Sequence, residues 1–124
     1  MTLRVRVRRG DVFAMGPGKA NLLEAVAATH SIAAAGRSLG YSYTKTRRLV
    51  DEMNASFREP LVVTTRGGHD RGGAAVTETG QAVLAIFRAM EAKAVAAAQE
   101  DYRRLCGLLE QTLRPGGAEP APGP

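Results

Sequence analysis

Apolar and polar positions change rhythm several times along the chain, and each rhythm fits a different element. Leu3, Val5 and Val7 alternate with Arg4, Arg6 and Arg8, the period-two pattern of a strand with a cationic outer face. Gly16-Pro17-Gly18 interrupts the chain, and from about Lys19 to Thr29 the rhythm turns helical, with Leu22, Leu23, Val26 and Ala27 on one stripe. Ser31 is placed to cap a short second helix running to about Leu39, which turns Ile32, Ala35 and Leu39 inward before Gly40 stops it. A third helix is predicted from Ser42 to about Phe57, with Thr46, Val50, Met53 and Phe57 on its inner face and Pro60 forbidding its continuation. Leu61 to Thr65 reads as a strand from its β-branched content, and Ala74-Ala75-Val76 as its antiparallel return.

Thr77, with Gly80 close behind, opens a last helix that the apolar pattern extends to about Leu113. Such a helix is about 55 Å long at 1.5 Å per residue, more than a domain of this size covers, so part of it is expected to meet a partner. Its stripe runs Phe87, Met90, Ala94, Ala98, Tyr102, Leu105, Leu109 and Leu113, a mixture of threes and fours like a coiled coil with a stutter. The first seven of these are the expected dimer contacts; the competing expectation is a helix folded back on its own domain. The chain thus divides into a domain over 1–76, a dimerisation helix over 77–113 and a proline-rich tail over 114–124 that composition predicts to be disordered.

Charge changes the picture. Residues 1–76 hold 12 Lys and Arg against 6 Asp and Glu, whereas residues 77–124 hold 5 against 6, so the whole excess of +5 comes from the first part. A polyanion is the natural partner for it. A single cysteine, Cys106, excludes an intrachain disulfide and the usual cysteine zinc sites. His30 and His69 stand far apart without a carboxylate cluster; His30 is expected to close the first helix, and neither a metal nor a cofactor is expected. No nucleophile, base and acid arrangement stands out, so an enzyme is not expected. The amino terminus lacks the apolar run of a secretion signal and no segment suits a membrane span, which leads to a cytoplasmic expectation.

Helix, short helix, glycine turn, helix and two-stranded glycine-rich hairpin is the order of a winged helix-turn-helix, mainly α with a small β wing. Ala35-Gly36 supplies the small residues needed where the second and third helices cross. At 100° per residue, Thr44, Arg47, Arg48 and Asp51 lie opposite the inner face of the third helix. In a recognition helix the first turns enter the major groove, which makes Ser42, Tyr43, Thr44, Lys45, Arg47 and Arg48 the candidate DNA contacts. Arg66 and Arg71 are the candidate wing contacts, with the backbone of Gly67 and Gly68 free to approach phosphate. The glycine-rich segment lacks the order of a nucleotide-binding loop, and no helix opens directly after it.

These segments resemble the amino-terminal DNA-binding domain of ModE-type molybdenum-dependent transcriptional regulators and, more distantly, LysR-type regulators. The resemblance spans roughly Leu3 to Glu91. It rests on Leu22-Leu23-Glu24-Ala25-Val26, Ser31-Ile32, Leu39-Gly40-Tyr41-Ser42-Tyr43, Leu49-Val50-Asp51-Glu52-Met53-Asn54, Pro60-Leu61-Val62, and the paired glycines leading to Thr77 and Gly80. It implies a bacterial winged-helix homodimer reading a palindromic operator in double-stranded DNA, with a link to molybdenum or tungsten metabolism. Oxyanion-sensing members bind their ligand in C-terminal β domains, and a sequence ending at Pro124 is expected to lack one. Two other readings stay open: a protein-interaction module that recruits another regulator, and an oxyanion-binding protein without DNA function.

Overall fold

The computed structural model describes residues 1–65 and 73–110. The element order is β1 (Val7–Arg9), β2 (Val12–Met15), α1 (Pro17–Thr29), α2 (Ile32–Ser38), α3 (Tyr43–Ser56), β3 (Val62–Thr64), β4 (Ala74–Val76) and α4 (Glu78–Cys106). Three helices enclose the core, an antiparallel hairpin follows them, and a long helix leaves the domain. The fold is a winged helix-turn-helix with a long C-terminal helix, as the order of elements predicted.

The amino-terminal strand differs from expectation. Leu3 and Val7 are exposed, strand geometry begins only at Val7, and the neighbour is β2, an element the alternation did not announce. Gly10 at φ +65° gives the two-residue turn the positive φ it needs, and the pairing runs Arg9 to Val12 and Arg8 to Phe13, with an irregularity before Val7 meets Met15. Ala14 and Met15 are buried, so the hairpin is fastened to the core through its second strand.

α1 starts earlier than its apolar stripe. Pro17 occupies the first turn, where its fixed φ is favourable and its missing N–H is no loss, and the start of the helix brings Lys19 and Ala20 into the interior. Leu22, Leu23 and Val26 are buried as the periodicity required, but Ala27 is exposed because the stripe veers toward Ala20 and Leu23. His30 closes the helix in the left-handed region at φ +57°, donating its N–H to the Val26 carbonyl at 2.7 Å. Its own carbonyl accepts from Ala74 N at 2.8 Å, which ties the end of α1 to β4.

α2 and α3 meet at Gly36 and Thr46. A Cβ at Gly36 would stand 2.9 Å from Thr46 Cβ and closer still to its hydroxyl, so only glycine lets the helices approach. The Thr46 hydroxyl, fully buried, donates to the Ser42 carbonyl at 2.8 Å. Gly40, at φ +77°, makes the turn between the two helices.

Asn54 on α3 sets the base of the wing. Its Oδ1 accepts from Leu61 N at 2.8 Å and Val62 N at 3.1 Å, while its Nδ2 donates to the Val62 carbonyl at 2.9 Å. Thr77 then caps α4, accepting from Gly80 N at 2.9 Å and donating to the Pro60 carbonyl at 2.8 Å. Pairing of Val62 with Val76 through Thr64 with Ala74 joins the two wing strands.

α4 ends at Cys106, short of the expected Leu113; Gly107 terminates it, and positions from 111 onward lie outside the described residues. Its 29 residues are about 44 Å long. Phe87, expected in the dimer contact, is 2% exposed and belongs to the subunit's own core with Leu22, Leu23 and Val26. Beyond Phe87 no described α4 residue is fully buried. Arg88 ties α4 to α1: it donates to Glu24 at 2.9 Å and Asn21 at 2.8 Å on α1 and to Glu91 at 2.9 Å on its own helix. The Glu24 carboxylate, first among these, raises the guanidinium pKa above its ordinary value.

Candidate nucleic-acid interface

The sequence of α3 places its functional side chains by spacing alone. Once Thr46, Val50 and Met53 are buried, positions 44, 47, 48 and 51 must face away. Arg47 and Arg48 do so, with side chains 43% and 57% exposed. Each leans on an acidic residue one turn later, Arg47 at 3.7 Å from Asp51 and Arg48 at 3.2 Å from Glu52, contacts loose enough at the surface to exchange for a stronger anion.

The first turn of α3 is presented to solvent. Ser42 is its cap, the hydroxyl accepting from Lys45 N at 3.0 Å, which leaves the hydroxyl hydrogen available as a donor. Tyr43 is 60% exposed without a packing reason, and Thr44 stands beside it. Lys45 holds its ammonium 4.1 Å over the Tyr41 ring. Tyr43, Thr44, Arg47 and Arg48 therefore share one outward face of α3, with Arg47 half-buried, while Lys45 turns toward Tyr41. The four wing candidates, Arg66, Gly67, Gly68 and Arg71, lie outside the described residues.

α3 stands as a ridge between two concavities. The one on the wing side is about 570 Å³ and is walled by Arg37, Tyr43, Arg47, Thr64 and the end of α1. The one on the far side is about 670 Å³, between α3, the start of α1 and the β1–β2 hairpin. At its floor Lys19, 7% exposed, pairs with Glu52 at 2.9 Å and also donates to the Phe13 carbonyl. The Lys19 ammonium and, after it, Arg48 hold the Glu52 carboxyl below its ordinary value despite burial that pulls the other way.

Arg4, Arg6, Arg37 and Tyr41, which line these concavities, were not among the residues expected from the sequence as contacts. The alternating arginines were the available signal for the first two, but without β2 nothing related them to α3. No group of three or more His, Cys, Asp or Glu side chains is placed to hold a metal among the described residues, and none of their helices is long and apolar enough to cross a membrane.

The seven expected dimer positions part company. Phe87 is internal; Met90, Leu105 and Leu109 are 41%, 58% and 56% exposed; Ala94, Ala98 and Tyr102 are half-buried. Ile86, which the stripe omitted, is 61% exposed.

The chain is 39% identical over 85 residues to the molybdenum-pterin-binding protein MopA of Rhodobacter capsulatus, covering 68% of this chain and 32% of that protein. With MopB of the same organism, also a molybdenum-pterin-binding protein, it shares 38% over 78 residues, covering 63% and 29%. With the molybdenum transport protein ModE of Azotobacter vinelandii it shares 36% over 78 residues, covering 63% and 29%. The chain thus spans about a third of the length of the curated relatives it matches. No family model matches. Among solved structures, a LysR family transcriptional regulator superposes with a TM-score of 0.54 at 15% identity, covering 78% of this chain and 31% of that one. The resemblance to ModE-type proteins read from the short motifs is borne out by these homologues, and the fold is one that a LysR-type regulator shares.

Proposed function

We propose that this chain, a homologue of ModE and the Mop proteins with the fold of a transcriptional regulator, binds operator DNA sequence-specifically as a homodimer and serves molybdenum-related regulation. One observation supports this above the others: α3 turns its polar, cationic face outward on the side where its first turn is also bare. A helix about 10 Å across fits the major groove, about 12 Å wide, and exposed arginines at its front suit guanine edges. The exposed apolar side chains of α4 support a second copy as partner, since a rod with Ile86, Met90 and Leu105 in water gains by pairing. The role is one of binding, not of catalysis.

Selection of bound fragments from a random DNA pool at physiological salt tests the reading. The expected result is a palindrome with half-site centres about 34 Å apart, or a multiple of that. Arg47→Ala or Arg48→Ala then weakens operator binding by about 1–3 kcal/mol and relaxes one base position where the side chain reads a base. Unchanged affinity in both variants would remove α3 as the recognition helix.

The names of MopA and MopB favour a second reading, oxyanion or molybdenum-cofactor binding. Calorimetry with molybdate and with tungstate separates the two, because an oxyanion-binding protein gives saturable heat in the absence of DNA. A flat titration with retained operator binding leaves the DNA reading alone.

A further inference from the structure

Resting on the DNA-binding reading of α3, we infer that the amino-terminal segment, the hairpin together with the residues that lead into it, is a second phosphate-gripping element, with Arg4 and Arg6 holding the strand of the duplex that faces away from the wing. A helix lying in the major groove has a sugar-phosphate strand on each side, so a protein that seats one firmly needs donors on both flanks. On the wing flank Arg37 and Arg47 line the concavity. On the other flank the larger cleft gathers Arg4, Arg6, Lys19, Lys45 and Arg48 against Asp11 and Glu52.

The floor of that cleft is internally neutral, because Lys19 and Glu52 satisfy each other. The rim is not. Arg4, Arg6 and Lys45 stand there with Arg48, which shares the Glu52 carboxylate, and Asp11 is the remaining acid. A concavity lined with an excess of one sign of charge draws in an anion.

The cations are also positioned. The Arg6 guanidinium lies 5.1 Å from the centroid of the Phe13 ring, and Lys45 lies over Tyr41. Stacking of this kind fixes the head group while leaving N–H donors free for phosphate oxygens. It also gives a reason for Phe13 being 41% exposed on a strand whose next two residues are buried. Those two, Ala14 and Met15, anchor the hairpin, and Arg4 and Arg6 lie in the stretch just before its first strand, on the same cleft as Lys45 and Arg48 of α3.

The test measures binding to the selected operator and to an unrelated duplex over a range of salt concentrations, for the full chain and three variants. For Arg4→Gln/Arg6→Gln the expected loss is about thirtyfold on both duplexes at physiological salt, with the slope of log affinity against log salt reduced by about 1.8, the value for two lost phosphate contacts. The charge-preserving pair Arg4→Lys/Arg6→Lys keeps the slope, which separates loss of contact from loss of fold. Arg47→Ala is the third variant. If the glutamine pair binds like the wild type while Arg47→Ala is impaired, the hairpin assignment is overturned and the recognition helix stands; if neither variant changes binding, both fall. Millimolar inorganic phosphate at constant ionic strength is expected not to displace DNA, and displacement that the glutamine pair abolishes would make a free anion the occupant and overturn the assignment.

Discussion

The helix-turn-helix and the far half of α4 are built to opposite rules. Between α2 and α3 the fit is so close that a hydrogen atom is all the side chain Gly36 can have, and Thr46 is buried against it with its hydroxyl satisfied. Beyond Arg88, α4 touches nothing that buries a side chain completely, although alanine, valine and leucine continue along it. The first region is finished within one chain and uses its tightness to aim charged groups outward. The second leaves apolar side chains such as Met90 and Leu105 in water, and the proposed pairing of two copies rests on that surface. A domain can hold both because Arg88, Phe87 and the Thr77 cap fasten the start of α4 to the core and the three-helix unit.

Substitutions that strike one region and spare the other sharpen this contrast. Gly36→Ala gains a little helix propensity but drives a methyl group into Thr46, and the net effect expected in thermal or denaturant unfolding is a loss of about 3 kcal/mol. A stability equal to wild type would show that the α2–α3 crossing has slack and that the contrast is overdrawn.

Glu52→Gln strips the buried Lys19 of its carboxylate and is expected to cost about 2 kcal/mol at neutral pH. Because the folded-state pKa of Glu52 is depressed, the wild type holds this contribution above the ordinary carboxyl value of 4.5 and loses it as pH falls through the lower folded value. The stability gap between wild type and Glu52→Gln should therefore close on acidification. Parallel stability curves down to strongly acid pH would mean that the pair contributes nothing as an ion pair.

Leu105→Glu, in the exposed half of α4, is expected to leave subunit unfolding within about 0.5 kcal/mol of wild type when measured as monomer. It should nonetheless weaken self-association about tenfold or more, about 1.4 kcal/mol, read by sedimentation equilibrium. Equal self-association would move the dimer contact elsewhere on the chain.

Much of this molecule was legible in its residues. Ser31 announced its cap, Ser42 and Thr77 marked where the next helices open, Gly40 its turn, and the spacing of Thr46, Val50 and Met53 turned Arg47 and Arg48 outward. Caps, turns and faces are local, set by hydrogen bonds and dihedral angles within a few residues. Three features resisted. α1 opens at Pro17, ahead of the expected Lys19, and buries Lys19, because a lysine can turn inward only where Glu52 of another helix meets it. Val12 to Met15 looked like a connection, since a strand of four residues after a two-residue turn has little periodicity to read. Phe87 continued the α4 stripe without a break, and spacing cannot distinguish an apolar side chain bound for its own core from one bound for a partner.

The sequence by itself determined the order of helices and wing, the caps and turns that bound them, the outward face of α3 and the concentration of positive charge in the first 76 residues, because each follows from short-range geometry or from counting. Only the tertiary structure decided that Arg4 and Arg6 stand beside Lys45 and Arg48, that Lys19 and Glu52 neutralise each other beneath them, and that Phe87 is the last fully buried side chain of α4. Those outcomes depend on which surfaces from distant parts of the chain are pressed together, and burial is a property of that packing and not of any one segment.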